Sequence, residues 1–330
     1  MSPDPQMPYQ DTAQEPAPDA PMEFVSGPAP ARRMGMSLNV ELVPPKTCTY
    51  DCIYCRLGPT RHKTVERRNF FAPRDIVEAV AARLHDNALP EFITLSGLGE
   101  PTLHSGIGDI IAGIKDLTHV PVAVLTSGAL FHDPGVRRAV ADADLILPSL
   151  DAPDQQLFSQ INRPHPDLSF ERMVAGLHAL RREFRGIIWL EVFLINQVTS
   201  SRECAGLLAE LARSMEPDKI QLNTVANPAE HACAMRVPPG RLQALAALFG
   251  DNTEIIADIH GTHGCPDPAA RRADVLALLF RGPHSLAGVA GALSMHSSET
   301  AAHLTQLLHA GIICAEPSES GTLYRVKRNP

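Results

Sequence analysis

No apolar run in the sequence approaches the ~20 residues that a membrane-spanning helix needs; the stretch 187–195 is shorter and carries Glu191. Basic charge is also in short supply. Lys and Arg number 29 against 37 Asp and Glu, a formal net charge of −8, so no global field is available to hold RNA or DNA and any such contact would be local. The 7 cysteines do not make an even disulfide framework, and the opening residues lack a charged segment leading into an apolar one, so a secreted disulfide scaffold is not expected. The expectation is a protein of the reducing cytoplasm with no membrane partner. There, clustered cysteines signal metal or catalysis. With 44% hydrophobic and 20% charged positions over 330 residues, the chain is neither a coiled coil nor wholly disordered, and it is long enough for one large domain and one small one.

Residues 1–22 are rich in proline and acidic residues and carry too little apolar surface to offset their ordering entropy, which predicts a disordered Pro-rich tail. From Ser37 onward, short β-branched runs alternate with amphipathic stretches, the pattern of a parallel α/β sheet. Strands are predicted at 37–43, 92–96, 122–126, 145–150, 187–194, 219–224 and 254–259. Between them, Ile76, Val80 and Leu84 repeat at helical spacing after Pro73, and Met173, Leu177, Leu180 and Phe184 form a second stripe ended by Gly186. Ser200 and Glu203 read as a capping box that turns Leu207, Leu208 and Leu211 inward. The sum is an α/β fold of about six βα units plus one strand, a partial (β/α)6-type barrel over 23–268 with its chemistry at the C-terminal strand ends. Beyond Pro268, three helical stripes (Leu276 and Leu279; Leu286, Val289 and Leu293; Leu304, Leu307 and Leu308) and two short runs at 312–316 and 322–326 outline a small winged-helix domain over 269–330.

Cys48, Cys52 and Cys55 stand as CxxxCxxC directly after the first predicted strand. Three thiolates so close together suit an iron-sulfur cluster, whose soft irons take cysteine sulfur. Three ligands on a four-iron cluster leave one iron open, and chemistry happens there. The alternatives are a zinc site short of its fourth ligand, since His62 stands at no finger-like spacing, and unliganded surface thiols. The second predicted strand ends in Ser96-Gly97-Leu98-Gly99-Glu100-Pro101. Its glycines admit a ligand close to the backbone and Glu100 offers an acceptor to a cationic ammonium, although such a run alone is also an ordinary strand-to-helix turn. Later strand ends carry Thr126 and Ser127, Ser149 and Asp151, Glu191 and Asn196, and Asn223, each of which could equally cap a turn.

The triad, with aromatic Tyr54 before its last cysteine and the glycine run one βα unit later, closely resembles the radical SAM superfamily. That resemblance implies a 4Fe-4S cluster on Cys48, Cys52 and Cys55, with S-adenosylmethionine chelating the open iron through its amino and carboxylate groups. An electron then cleaves the sulfonium to methionine and a 5′-deoxyadenosyl radical, which abstracts hydrogen from a substrate. It also implies a cofactor-binding set of Tyr54, Gly97, Gly99, Glu100, Ser127, Ser149, Asp151, Glu191 and Asn196, with Glu100 at the methionine amino group. The implied partner is a one-electron donor, flavodoxin or ferredoxin. No catalytic side chain beyond the cluster is assigned, and the substrate is unidentified.

Within the superfamily, the runs at 24–28, 32–35, 37–48 and 221–225 are similar to the branch of tRNA wyosine-synthesis enzymes, which condense pyruvate-derived carbons onto a methylated guanosine. That branch holds a second cluster on three cysteines N-terminal to the triad and presents a basic face to tRNA. Here no cysteine precedes Cys48 and the chain is acidic, so the superfamily chemistry is carried over and the substrate left open. A wyosine-type tRNA-modifying enzyme is one alternative reading. A cluster-bearing winged-helix transcription regulator is another, but no Lys or Arg falls between Arg281 and Arg325, where phosphate and guanine contacts would require them. The winged helix is therefore expected to be a docking module or a lid over the barrel mouth. Cys204 and Cys314 read as small buried thiols. Cys233 and Cys265, beside His231, His260 and His263, read as loop cysteines or as a second metal site.

Overall fold

The computed structural model describes residues 24–31, 33–86, 89–225, 234–257, 268–293, 295, 297–318 and 321–327. The Pro-rich tail, the end of the last predicted barrel strand, and Cys233 and Cys265 with the histidines beside them lie outside the described residues. The chain runs β1 (Val25–Ala31), β2 (Gly35–Glu41), the short β3 (Thr47–Cys48) and β4 (His62–Lys63), α1 (Pro73–Asp86), β5 (Phe92–Ser96), α2 (Ile107–Leu117), β6 (Val122–Thr126), α3 (Pro134–Ala139), β7 (Leu145–Pro148) and α4 (Gln155–Ile161). There follow α5 (Phe170–Glu183), β8 (Ile187–Leu194), α6 (Arg202–Ser214), β9 (Lys219–Thr224), α7 (Pro239–Ala246) and β10 (Thr253–Ile255).

These strands form an open 8-stranded sheet in the order β1-β2-β5-β6-β7-β8-β9-β10. β1 is antiparallel to β2, and the remaining pairs are parallel. The seven parallel strands are the seven expected from the sequence. Four have the expected bounds; β2 begins and ends earlier, β10 spans Thr253–Ile255 rather than 254–259, and β7 stops at Pro148, which has no N–H to extend a ladder. β1 escapes sequence reading because Pro28 and Pro30 argue against a strand, yet an edge strand tolerates proline.

Alternate residues of β8 explain the layering. Ile188, Leu190, Val192 and Leu194 are buried against the helices, while Trp189 packs on the other face with Met34, Leu145 and Leu147. That second face is concave. Arg33, in the turn before β2, pairs with Glu191 on β8, whereas four strand spacings in a flat sheet would separate β2 from β8 by about 19 Å, beyond an arginine's reach.

One helix departs from expectation. The N-cap of α6 is Ser201, whose hydroxyl accepts from Cys204 N at 3.0 Å; Ser200 instead accepts from Gln197 N. The inward stripe is accordingly Ala205, Leu208, Ala209 and Ala212, and Leu207 faces solvent at 55% exposure.

The C-terminal part comprises α8 (Pro268–Arg281), β11 (His284–Ser285), α9 (Leu286–Ala292), α10 (Ser297–His309), β12 (Ile313–Ser318) and β13 (Gly321–Val326). Its sheet has the order β11-β13-β12, and the two-residue β11 was not foreseen. Val275, Leu279, Val289, Leu304, Leu307, Ile313 and Tyr324 make a separate core, and Met36 of β2 is part of it. The Tyr324 hydroxyl lies 3.7 Å from the Met36 sulfur. Met36 stands at the start of β2, whereas Cys48 follows its end. The C-terminal elements thus pack at the end of the sheet opposite the cysteines, which corrects the expectation of a lid over that mouth. Among the described residues, no helix is long and apolar enough to cross a membrane.

Because Met36 joins the two cores, Met36→Ala should lower the unfolding free energy by about 2–4 kcal/mol. Chemical denaturation checks this; an unchanged midpoint would contradict the shared packing.

Candidate active site

The cysteine loop begins at Lys46, which takes a positive φ of 62° and turns the chain into β3. Backbone bonds then fix the loop on three sides. Toward β5, Lys46 N donates to Leu98 O at 2.6 Å and Glu100 N to Thr47 O at 3.0 Å; toward α4, Asp51 N donates to Asn162 O and Ile53 N to Ile161 O, both at 2.9 Å. On the third side β3 pairs with β4, Cys48 opposite Lys63. Cys48, Cys52 and Cys55 are free, half-buried thiols.

Burial pushes the Cys48 thiol up to about 12, with the charges of Glu100 and Cys55 adding to the effect. Burial likewise drives Cys52 well above the ordinary thiol range, assisted by Asp151 and Cys48. Buried thiols such as Cys48 and Cys52 ionise only against a cation, and a soft metal centre is the group that supplies it. Among the described residues no three His, Cys, Asp or Glu converge on a single-ion position. Thiols that each take a different iron of a cluster need no such convergence. Two donors face the sulfurs: Lys46 Nζ lies 3.4 Å from Cys55 Sγ and Asn162 Nδ2 lies 3.5 Å from Cys52 Sγ. Lys46 also donates to Gly58 O. The residues present therefore fit a sulfur-ligated iron cluster with its charge partly compensated.

The glycine loop after β5 is locked beneath the cysteines. Gly97 has a φ of +117°, and a Cβ there would lie 1.7 Å from Glu41 Oε2. Glu41, its carboxyl raised mainly by burial, accepts from Leu98 N at 2.8 Å. At Gly99 a Cβ would lie 2.2 Å from Thr47 O. Glu100 is buried, and its carboxylate accepts from Thr102 N at 3.1 Å, Thr102 Oγ1 at 2.6 Å, Thr126 Oγ1 at 2.6 Å and Ser127 N at 2.7 Å. A carboxylate has about four acceptor sites, so the chain itself occupies Glu100, and this side chain shapes the loop. Ser127 Oγ reaches Thr49 Oγ1 at 3.1 Å, tying β6 to the cysteine loop.

The next strand end supplies a second network. Tyr54 stacks on Phe193 with ring centroids 3.9 Å apart and donates to Asp151 Oδ2 at 2.5 Å. Asn162 Nδ2 donates to the same oxygen at 2.7 Å, and Phe193 N reaches Oδ1 at 3.3 Å. Burial still lifts Asp151 to about 6 against these donors. Ser149 is half-buried and bridges to Glu191, whose carboxylate takes Arg33 and, at 2.8 Å, Asn223 Nδ2. Asn196 lies further off, in the turn after β8, where it accepts from Ser200 Oγ.

The structure thus gathers the cysteines, Gly97, Gly99, Glu100, Ser127, Tyr54 and Asp151 at one end of the sheet. Glu191 is placed deeper and is already paired. Lys46, Glu41, Arg33 and Asn162 were not singled out as site residues from the sequence. Asn162 lies far along the chain from Cys52 and carries no local signal, and the reach of Lys46 depends on its positive φ.

The radical SAM superfamily model matches residues 42–202, so the cysteine loop, the glycine loop and β8 lie within a radical SAM domain. A UPF0026 protein of Methanocaldococcus jannaschii is 31% identical over 71% of this chain and 73% of its own length, and one from Synechocystis is 34% identical over 62% and 76%. The chain belongs to the UPF0026 family. It is also 30% identical to a Brachyspira hyodysenteriae protein called GTPase Obg, over 88% of this chain but only 43% of that relative's length. Among solved structures, a radical SAM methyltransferase from Sphaerobacter thermophilus superposes with a TM-score of 0.52 at 20% identity, over 67% of this chain and 66% of that one, which is a likeness of fold.

Gly99→Ala sets a methyl group against the Thr47 carbonyl, so the cysteine loop must move. Overpacking of this kind costs about 1–3 kcal/mol. The variant should reconstitute less iron per chain and lose cluster absorbance faster under chelator; wild-type iron content and stability would contradict the close approach.

Proposed function

We propose that the protein is a radical SAM enzyme that reductively cleaves S-adenosylmethionine at a 4Fe-4S cluster held by Cys48, Cys52 and Cys55. The observation that carries this reading is the cysteine loop: three half-buried thiols, two of them facing Lys46 and Asn162 as donors, backed at 3.0 Å by the glycine loop through Glu100 N and Thr47 O. When bound, the cluster and S-adenosylmethionine supply a one-electron cleavage to methionine and a 5′-deoxyadenosyl radical that takes hydrogen from the substrate. The chain's own residues bind and orient. Gly97 and Gly99 let the Glu41 carboxyl and the Thr47 carbonyl close on the loop that would face the cofactor, and Glu100 and Ser127 hold that loop in shape. Tyr54 and Asp151 order the wall formed with Phe193, and Ser149 lies beside them. Glu191, held by Arg33 and Asn223, and Asn196, in its turn, are placed to shape the floor and rim. Water exclusion around the radical falls to the apolar wall of Tyr54 and Phe193.

The finer readings also belong here. We read the elements after Pro268 as a winged helix, on their order of helix, strand, two helices and hairpin, and place the domain boundary near 268. α10, the helix that would read DNA, buries His303, Leu304 and Leu307 and has no Lys or Arg, so a packing role suits it better than a regulator's. The likeness to the wyosine-synthesis branch supplies a candidate class of substrate and no more.

Replacing any one of the three cysteines with Ala should abolish the cluster's visible absorbance and the formation of 5′-deoxyadenosine by the reduced protein. Full cleavage in such a variant would overturn the reading. Glu100→Ala should keep the iron but weaken S-adenosylmethionine binding about tenfold, since a buried charge-assisted network is lost; equilibrium binding to the reconstituted protein measures this, and unchanged affinity would count against the loop's role.

A further inference from the structure

A cavity of about 820 Å³ opens where three segments meet: the stretch leading from β4 to α1, the loop between β6 and α3, and the turn that enters α5. None of its lining residues belongs to the cysteine loop, the glycine loop or the network of Tyr54 and Asp151. Arg67, His132 and Arg172 bring one basic group from each segment, and each is fixed by backbone. Arg67 Nε donates to Thr102 O at 2.8 Å and its Nη2 to His104 O at 3.3 Å. Arg172 Nη1 donates to Asp167 O at 2.9 Å. His132 Nδ1 lies 3.0 Å from Ala129 O; a carbonyl only accepts, so Nδ1 carries a hydrogen and Nε2 is left to a ligand. The walls are also in direct contact, since a Cβ at Gly176 of α5 would lie 2.4 Å from His132 N.

Among the described residues, the two guanidinium groups donate to neutral carbonyls and form no ion pair with a carboxylate. Arg67 is half-buried, and burial lowers it from its ordinary value although the charge of Asp133 opposes this. A cation drawn out of water and given only carbonyls favours an anion beside it. The two acids that line the cavity have partners of their own: Asp133 caps α3 by accepting from Gly135 N at 2.7 Å, and Asp167 Oδ2 faces His165 Nδ1 at 3.6 Å.

We propose that this cavity binds the phosphate monoester of a small molecule with an apolar body. Basic groups arriving from three segments suit a tetrahedral phosphoryl group with three terminal oxygens, whereas the two coplanar oxygens of a carboxylate match a single guanidinium fork. Leu130, Val136 and Leu168 give the cavity an apolar wall, which a bare phosphate ion would not use. Its volume lies within the roughly 300–1,000 Å³ of sites that hold organic ligands. The inference is independent of how the thiols are read.

The test is calorimetric titration of the full-length protein with phenyl phosphate, inorganic phosphate and benzoate, repeated on Arg172→Ala and Arg67→Gln. The expected result is saturable binding of phenyl phosphate, at least about tenfold tighter than benzoate and severalfold tighter than inorganic phosphate, and weakened about tenfold in each variant. Arg172 is exposed in the first turn of α5, so its variant should keep the wild-type unfolding midpoint and decides the matter if Arg67→Gln destabilises the chain. Unchanged phenyl phosphate affinity in folded Arg172→Ala would overturn the proposal, as would the lack of saturable binding by the wild type. Benzoate binding as tightly as phenyl phosphate would assign the guanidinium groups to a carboxylate, and inorganic phosphate binding as tightly would remove the organic body; either result also overturns it.

Discussion

Two backbones come unusually close at the end of β5, and the rest of the site is arranged around that approach. Thr47 O accepts the Glu100 amide at 3.0 Å, and Gly99 leaves no room for even a methyl group beside the same carbonyl. The thiols and the glycine loop therefore occupy one rigid corner. The donors that fix this corner come from inside it: the Glu100 carboxylate gathers Thr102, Thr126 and Ser127, and Ser127 returns to Thr49 in the cysteine loop. A buried carboxylate with every acceptor site filled is costly to disturb, because each freed donor would be left buried without a partner.

The opposite end of the sheet is closed by different means. The turn between β1 and β2 carries Arg33 and Met34 across the concave face, Met34 into the apolar layer with Leu145 and Leu147 and Arg33 to Glu191. An ion pair this enclosed owes its favourable balance to the further hydrogen bond from Asn223. Outside the same turn, Met36 enters the C-terminal core. One short hairpin thus plugs the concave face and anchors the C-terminal elements, which leaves the thiol end of the sheet uncovered by them.

Periodicity made the seven parallel strands legible, because a strand buried on the helix side shows a run of β-branched residues whatever its neighbours are. The cysteine spacing and the glycine run were legible for a chemical reason: a site-differentiated cluster and a close backbone approach demand particular residue types at short separations. β1 was hidden by prolines that only its edge position tolerates, and the α6 cap was misplaced by one residue because Ser200 and Ser201 stand side by side and both accept backbone hydrogens, in different turns. Glu100 is the instructive case. Its type suggested an ammonium acceptor, whereas two of its four donors are a local cap from Thr102 and the other two come from Thr126 and Ser127, whose convergence no spacing encodes.

By itself, then, the sequence determined the class of chemistry, since three thiols in CxxxCxxC and a glycine run one βα unit later are local patterns that the chain carries wherever it folds. Only the tertiary structure decided what surrounds those thiols. Lys46 and Asn162 as sulfur donors, Arg33 beneath Glu191 and the C-terminal elements at the far end all arise from contacts between segments distant in the sequence or from a single left-handed residue. Such contacts are set by packing and hydrogen-bond closure, and neither leaves a periodic trace in the chain.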